Sequence, residues 1–553
     1  MRLIPAAKSK KQRRFHLAEP IVEAEPSLVP ALRKGRAAGI VGMFTLIVAV
    51  CGYFREAALA ARFGVSANMD AYFGAVFIPN VLYYVLVAGT LSPIFIPILL
   101  DENGGEDRAR VSETFSVVMT FAMVVLLAIV LCGLIGAPKW VPLLFSGFNA
   151  DTTRMAVRFV YIIFPGVLFL AVAGLLTSVL NGFHKFALAA VAPALSSIVV
   201  ISAIFLARGS RAIYVVAMAT AAGFLLQAIL LIPSTASLGI RYRWILDFRH
   251  PAIRKLLRLW LPLFLYLAVA NVSLLVERNL ASRLSAGAVS TLYYALRLFT
   301  VPSNFLAAPL AIVAYPGFAR EAKREGRGEL VGQLSRTFGL IIFLFVPITI
   351  WTVLNALPIT RLLYEHGKFT VADSLVTAHV LSIYSLAILA NAIAVVLMRC
   401  FYAVEDTVTP LVAESVALVF FVAAAPFLTR QFGISGLAAA RSTSFCLVTL
   451  LLMFVLWKRK DLLKLDSELV RLFLPTAAAT GVMAIVSWAS LHALQPWFDS
   501  GHTLARLVIV ATILLLSAGT FLGVARLFKL TQARQVVNTV RDLLPGAGNR
   551  DVR

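Results

Sequence analysis

An all-α polytopic membrane protein is the fold class this sequence predicts. About fourteen transmembrane helices are expected, as two six-helix lobes related by a pseudo-twofold axis plus two C-terminal helices. Three observations predict it. The 553 residues are 60% hydrophobic and 14% charged, where a soluble domain is about half apolar and about a quarter charged. The apolar residues come in runs of the ~20 that a helix needs to cross the hydrocarbon core. The first half of the chain is also echoed in the second.

Residues 1–36 read as a basic cytoplasmic tail. "KSKKQRRFH" starts at Lys8, and no apolar stretch follows it before Arg36, so a cleaved signal peptide is not expected. Such a tail is attracted to anionic headgroups by ~1 kcal/mol per basic residue near the surface. The N-terminal lobe covers 37–240. Its first crossing, 37–61, is charge-free except at Arg55 and Glu56, and its second, 71–100, carries no charge. Crossings 114–138, 159–183, 186–207 and 212–240 complete it. The C-terminal lobe covers 253–458. Its crossings are 259–276, then 284–319 interrupted only by Arg297, then 337–360 and 374–398. The last two are 407–428 with Glu414 and 431–457 with Arg441. Residues 467–530 hold the added pair, 472–498 and 507–525, and 531–553 form a second cytoplasmic tail.

Orientation follows from Lys and Arg in short loops. "RYRWILDFRHPAIRK", "REAKREGRGE" and "KRKDLLK" follow the sixth, eighth and twelfth crossings, on the same side as both tails. Much of the net charge of +23 is thereby explained as topology, and no nucleic acid is expected. Cys51, Cys132, Cys400 and Cys446 all lie in apolar runs without ligand spacing. No disulfide, metal or cofactor is expected.

The internal echo is specific. "ARFGVSANMDAYF" from Ala61 resembles "SRLSAGAVSTLYY" from Ser282, with Arg62 opposite Arg283, 221 residues on. Pro79 and Pro93 are spaced like Pro302 and Pro316, 14 residues apart in each case. "NGFHKFALAAVAP" ends at Pro193 and "RCFYAVEDTVTP" at Pro410. Two copies with an even number of crossings share one topology, and paired repeats carry their site at the interface.

A charge at mid-bilayer costs about 2.5–3.5 kcal/mol on insertion scales, so it faces a bundle interior or a wet cavity. Arg55–Glu56 and Glu277–Arg278 occupy comparable places in the two copies. Adjacent helix residues do not face one another, so each must find partners elsewhere. For Glu56, Arg62, Glu277, Arg278 and Arg283, interhelical pairing and gating are the two readings. Arg297 has no adjacent acid and is the strongest functional position. Glu277 and Glu414 suit either structural pairing or a bound proton or cation. Prolines inside a crossing are tolerated where neighbours or a cavity satisfy the freed backbone, and Gly89–Thr90 favours a bend.

Residues 38–460 carry a resemblance. "GYFREAALAARFGVSANMDAYFGAVFIPNVLYYVLVAGTLSPIFIPIL", "VSTLYYALRLFTVPSNFLAAPLAIVAYPGFAR", "LLYEHGKFTVADS" and "FYAVEDTVTP" resemble the MurJ/MviN lipid II flippase family of the MOP superfamily. The resemblance implies the two-lobed fold in a bacterial cytoplasmic membrane. It implies a cargo of an undecaprenyl-pyrophosphate-linked glycan, lipid II first, moved from inner to outer leaflet, with cell-wall synthesis machinery as partner. It places substrate contacts at Arg55, Asp70 and Arg297. The chain departs from the family pattern at two cavity positions. Val48-Ala49 stands where the family writes Ser-Arg, and Tyr83 stands where it writes an arginine after "PN". Arg441 and Arg399 are the cations available to compensate, and Tyr83 could hold sugar or phosphate instead. Another lipid-linked glycan therefore remains the alternative cargo. A multidrug antiporter of the same superfamily needs an acid-dominated cavity, which Arg297 and Arg441 oppose. An enzyme is not expected, since no DxD, HExxH or paired His/Asp motif is present. A non-transporting scaffold stays open.

Overall fold

The computed structural model describes residues 28–88, 108–209, 211–322, 328–458, 467–500 and 502–536, and every regular element among them is a helix. The first group is α1 (Leu28–Phe63), α2 (Ala67–Tyr83), α3 (Arg108–Leu144), α4 (Ala150–Ile163), α5 (Gly166–Gly182), α6 (Phe186–Leu206) and α7 (Ala212–Ala236). The second is α8 (Pro251–Ser282), α9 (Ala288–Pro302), α10 (Ala308–Ala322), α11 (Gly328–Leu354), α12 (Ala356–Tyr364), α13 (Val371–Ser385), α14 (Ile388–Ala403) and α15 (Val408–Lys458). The pair α16 (Ser467–Ser500) and α17 (Thr503–Leu527) follows.

The predicted crossings fall mainly on helix wherever they are described. Among the described residues, nine helices are long and apolar enough to cross a membrane, or eleven with two bent pairs counted as one span each. The 51-residue α15 breaks at Gly433 (φ 58°, ψ −135°), just inside the start of the crossing expected at 431–457 and past the one expected at 407–428. Helix α1 begins at Leu28, inside the expected tail, because Leu, Ala, Arg and Lys are all good helix formers and Pro30 falls in the tolerant first turn. Residues 1–27, the bend at Gly89–Thr90, Pro93, and parts of the basic loops at 323–327 and 459–466 lie outside the described residues, as do 537–553.

The duplication is visible in detail. The fourth crossing of each half is a bent pair, α4–α5 at 42° and α13–α14 at 45°. Each ends on a non-glycine residue of positive φ, His184 (57°) and Glu405 (62°), 221 residues apart. The next N–H closes the same cap in both, Lys185 to the Leu180 carbonyl at 2.8 Å and Asp406 to Phe401 at 2.9 Å. The second crossing of each half turns π-helical, at Tyr84–Ala88 after α2 and at Ser303–Ala307 between α9 and α10. Proline removes a helical N–H, and both crossings carry one, Pro79 or Pro302, just before the π segment.

Within the first group α1 packs on α6, α2 on α4, and α5 and α6 on α7. Within the second α8 packs on α15, α9 on α13, and α10 on α14. The α16–α17 hairpin leans on α11, where Phe343, Leu472, Met483 and Phe521 form a small separate core. Arg361 of α12 pairs with Glu365 at 2.8 Å and with Asp499, and Arg506 pairs with Glu365 at 3.2 Å, which fixes the hairpin's end. Phe205, Leu206, Val313, Leu474 and Leu515 each expose over 70% of their surface, as suits side chains whose solvent is hydrocarbon.

Candidate functional site

The two groups of helices meet at the end where α1 stops and α2 starts. Asp70, in the first turn of α2 and 3% exposed, reaches across to the N-terminus of α9. Its two carboxylate oxygens accept from the backbone N–H of Gly287 at 2.6 Å and of Ser290 at 2.7 Å. Free N–H groups and the positive end of the dipole favour a carboxylate there. Around it, the Lys368 N–H donates to the Ala61 carbonyl at 2.7 Å. Gly147 N–H donates to Ser282 Oγ at 3.2 Å, Asn279 Nδ2 to the Leu144 carbonyl at 2.9 Å, and Arg283 Nε to Ser146 Oγ at 3.0 Å. Gly287 (φ +94°) and Gly367 (φ +58°) allow this approach. A Cβ on either would lie 2.3 Å from Val65 or 2.2 Å from the Ala61 carbonyl oxygen. This end is sealed.

Below the seal lies a charged aromatic cluster. Tyr293 of α9 stacks on Phe73 of α2 with centroids 3.9 Å apart. Its hydroxyl donates to Glu56 Oε1 at 2.9 Å, which also accepts from Arg55 at 2.7 Å. Glu56 is fully buried, while the Arg55 side chain remains 27% exposed. Arg278 donates to the Val289 carbonyl at 2.8 Å and sits over Phe77 and Tyr293. Arg297 lies with its guanidinium carbon 5.0 Å over the Tyr53 ring. Its Nε is buried without a hydrogen-bond partner among the described residues, as is Glu56 Oε2. The sequence-predicted Arg55, Asp70, Glu56, Arg278 and Arg297 are thus brought together between the two groups of helices.

Other positions differ from expectation. Among the described residues Arg62 pairs with no acid; it donates to the Ala207 carbonyl at 2.9 Å, capping the end of α6 within its own group. Of the two readings of Glu277, structural pairing or a bound proton or cation, the geometry shows the pairing. Tyr384 donates to its Oε1 at 2.7 Å, and Arg441 Nε lies 3.5 Å from its Oε2. Arg441 is also hydrogen-bonded to Ser273 at 2.5 Å and lies over Phe445, so its guanidinium is already engaged here. Glu414, half-buried, is within electrostatic reach of the same guanidinium. Arg399 lies over Tyr315. Tyr83 is half-buried at the last turn of α2, and Ala49 is half-buried on α1. Among the described residues no group of three or more His, Cys, Asp or Glu could hold a metal ion.

In the 221-residue register Glu56 and Glu277 are direct equivalents, each neutralised by an arginine and a tyrosine hydroxyl. Tyr293, Tyr53, Tyr384 and Gly287 carry the site but were not singled out from sequence. Only the match of Tyr72 to Tyr293 in that register could have pointed to one of them. Removing one partner of a buried pair leaves an uncompensated charge and costs about 3–5 kcal/mol. Arg441→Ala is therefore expected to lower the thermal unfolding midpoint of detergent-solubilised protein markedly, while Glu277→Gln with Arg441→Met restores most of it. An unchanged midpoint in the single variant would show that the pair is not needed.

The family model for lipid II flippase MurJ matches residues 59–509. The lipid II flippase MurJ of Burkholderia cenocepacia is 29% identical over 505 residues, covering 88% of this chain and 96% of that protein. The probable lipid II flippase MurJ of Rhizobium meliloti is 27% identical over 507 residues, covering 88% and 94%. Among solved structures, a lipid II flippase MurJ in an inward closed conformation matches with a TM-score of 0.74 at 23% identity, over 90% of this chain and 99% of that one. An inward-facing multidrug resistance MATE family transporter of the MOP superfamily matches with a TM-score of 0.61 at 14% identity, over 78% and 99%. These likenesses give the same fold, and the match over most of its length makes this chain a member of the lipid II flippase MurJ family.

Proposed function

We propose that this protein moves lipid II, the undecaprenyl-pyrophosphate-linked peptidoglycan precursor, from the inner to the outer leaflet of the bacterial cytoplasmic membrane by alternating access. The observation that supports this most is the Arg55–Arg297 cluster lying directly beneath a seal between the two lobes. Lobes 37–240 and 253–458 rock against each other, with 467–530 carried by the second. The sealed end faces outward, and the basic connector between α7 and α8, with both termini, faces the cytoplasm. A pyrophosphate crossing the membrane needs its charge matched. Arg297 has an unspent donor, and Arg55 keeps an open face although tied to Glu56. The glycan and diphosphate enter the cleft while the polyprenyl chain stays in lipid. Opening the seal breaks the Tyr293–Glu56 and Asp70–α9 contacts and transfers the cargo outward. No bond of the cargo is made or broken, so no catalytic residue or cofactor is invoked. Partners are the enzymes that supply the precursor on one side and polymerise it on the other.

A second reading rests on Ala49 and Tyr83, which leave the cleft with fewer cations than the family pattern, while Arg441 is already committed to Glu277. Losing two charged contacts of about 1.5–3 kcal/mol each would favour a different lipid-linked glycan. Both readings meet one test, expression in cells depleted of their own lipid II flippase. Restored growth with lipid II reaching the outer leaflet is expected. Failure to rescue despite normal membrane levels would leave the other glycan as cargo.

A further inference from the structure

The nine residues 241–249, "RYRWILDFR", join the two lobes between α7 and α8. They form no helix. Aromatic or apolar residues stand at every even position, and arginines stand at 241, 243 and 249. The backbone runs along α3. Arg241 N–H donates to Ser112 Oγ at 3.2 Å and Arg243 N–H to Ser116 Oγ at 2.9 Å. Two residues of extended chain advance about 6.6 Å and four of helix about 6 Å, so a serine on successive turns of α3 meets every second N–H. Tyr242 OH bonds Thr120 Oγ1 at 3.0 Å, and the Tyr242 and Phe248 rings meet Phe115 and Phe121 edge-on at 6.4 and 5.9 Å.

Those anchors fix its depth. Thr120 and Phe121 lie six and seven residues inside the charge-free run of α3 that starts at Thr114, or roughly 10 Å at 1.5 Å per residue. The connector is therefore drawn into the edge of the apolar zone. Ile245 packs against the core, while Tyr242 and Phe248 each rest one ring edge on α3. Tyr242, Trp244, Leu246 and Phe248 stay 47, 68, 46 and 59% exposed, an unusual cost in water but the preferred place for Trp and Tyr at a membrane interface. Arg241, Arg243 and Arg249, with Arg254 and Arg258 at the start of α8, are all exposed. The one acid, Asp247, turns back to accept from the Arg249 N–H at 2.8 Å.

We propose that residues 241–249 form an extended interfacial ribbon that embeds its aromatic side chains in the leaflet and binds anionic phospholipid headgroups through Arg241, Arg243 and Arg249. Apolar side chains set the depth, and the arginines between them meet phosphate at the headgroup level. Each arginine contributes roughly a fivefold preference for an anionic surface. Because the ribbon is also the tether between the lobes, it anchors the first lobe to the leaflet while the second moves. The proposal holds for either orientation and for any cargo.

The test uses the full chain in liposomes, with its four cysteines replaced and an environment-sensitive fluorophore on Leu246→Cys. Blue-shifted emission is expected, quenched several-fold more by brominated phosphatidylglycerol than by brominated phosphatidylcholine at equal mole fraction. Arg241→Gln with Arg243→Gln and Arg249→Gln is expected to equalise the two quenchers and keep the blue shift. Emission typical of water, unquenched by either lipid, would place the ribbon off the membrane. Equal quenching in the parent, or a preference that survives the triple substitution, would remove the headgroup contact. Any of the three overturns the proposal.

Discussion

Arg297→Ala is expected to abolish lipid-linked cargo transport while leaving the protein inserted, abundant and as stable as its parent. The two halves of that expectation have separate grounds. Arg297 sits in no ion pair among the described residues; it lies over Tyr53, and its buried Nε has no hydrogen-bond partner. Removing it therefore orphans no acid, unlike removal of Arg441. A charge-assisted hydrogen bond to a buried anion contributes about 1.5–3 kcal/mol, so two such bonds to a pyrophosphate amount to a loss of roughly a hundredfold or more in binding. Arg297→Lys is expected to keep part of the activity, since a lysine supplies the charge as a point rather than a planar fork. The measurement is translocation of lipid II into the outer leaflet, beside a thermal unfolding midpoint. Full transport by the alanine variant would take Arg297 out of the mechanism. A collapsed midpoint would make its role structural.

Asp70→Ala is expected to unseal its end of the interface. The carboxylate accepts two N–H groups of the opposite lobe at 2.6 and 2.7 Å. Each bond from a charged group contributes about 1.5–3 kcal/mol, which translates into a shift of roughly two to four decades in the closed-to-open ratio. A cysteine placed at Val289, fully buried at this seam, reports the change in a background without the native cysteines. A membrane-impermeant maleimide should label it slowly in the parent and far faster in the Asp70 variant. Equal labelling rates would mean that the seal does not depend on Asp70. Gly287→Val provides an independent route to the same state, because no valine accepts φ +94° and its Cβ would meet Val65.

The fold was legible in the sequence because each crossing is a local composition, and because the duplication repeats proline spacing and polar caps that survive in three dimensions. His184 and Glu405 show this well, falling in the two loops that "NGFHKF" and "YAVEDT" mark. The cations between the lobes were legible too, since a charge in an apolar run needs a reason. Their partners were not. Tyr293 meets Glu56 across 237 positions of chain, and nothing local distinguishes a tyrosine that donates to a buried acid from one that packs. The capture of α9's N-terminus by Asp70 was hidden for the same reason, and so was the partner of Arg62, because a helix-end carbonyl leaves no charge in the sequence to mark it. Glu277 was left open because its cation lies on α15, far along the chain.

The seal also sets a tempo. Among the described residues eight hydrogen-bond contacts cross it, two of them to the Asp70 carboxylate and three from the Asn279 amide. Net values of about 0.5–1.5 kcal/mol for ordinary bonds make their joint hold several kcal/mol. At ~5 kcal/mol, the low end of that sum, the idle transporter spends on the order of two ten-thousandths of its time open at this end. Such a protein leaks little when empty, and its turnover waits on whatever interaction the cargo makes better in the open form than in the closed one.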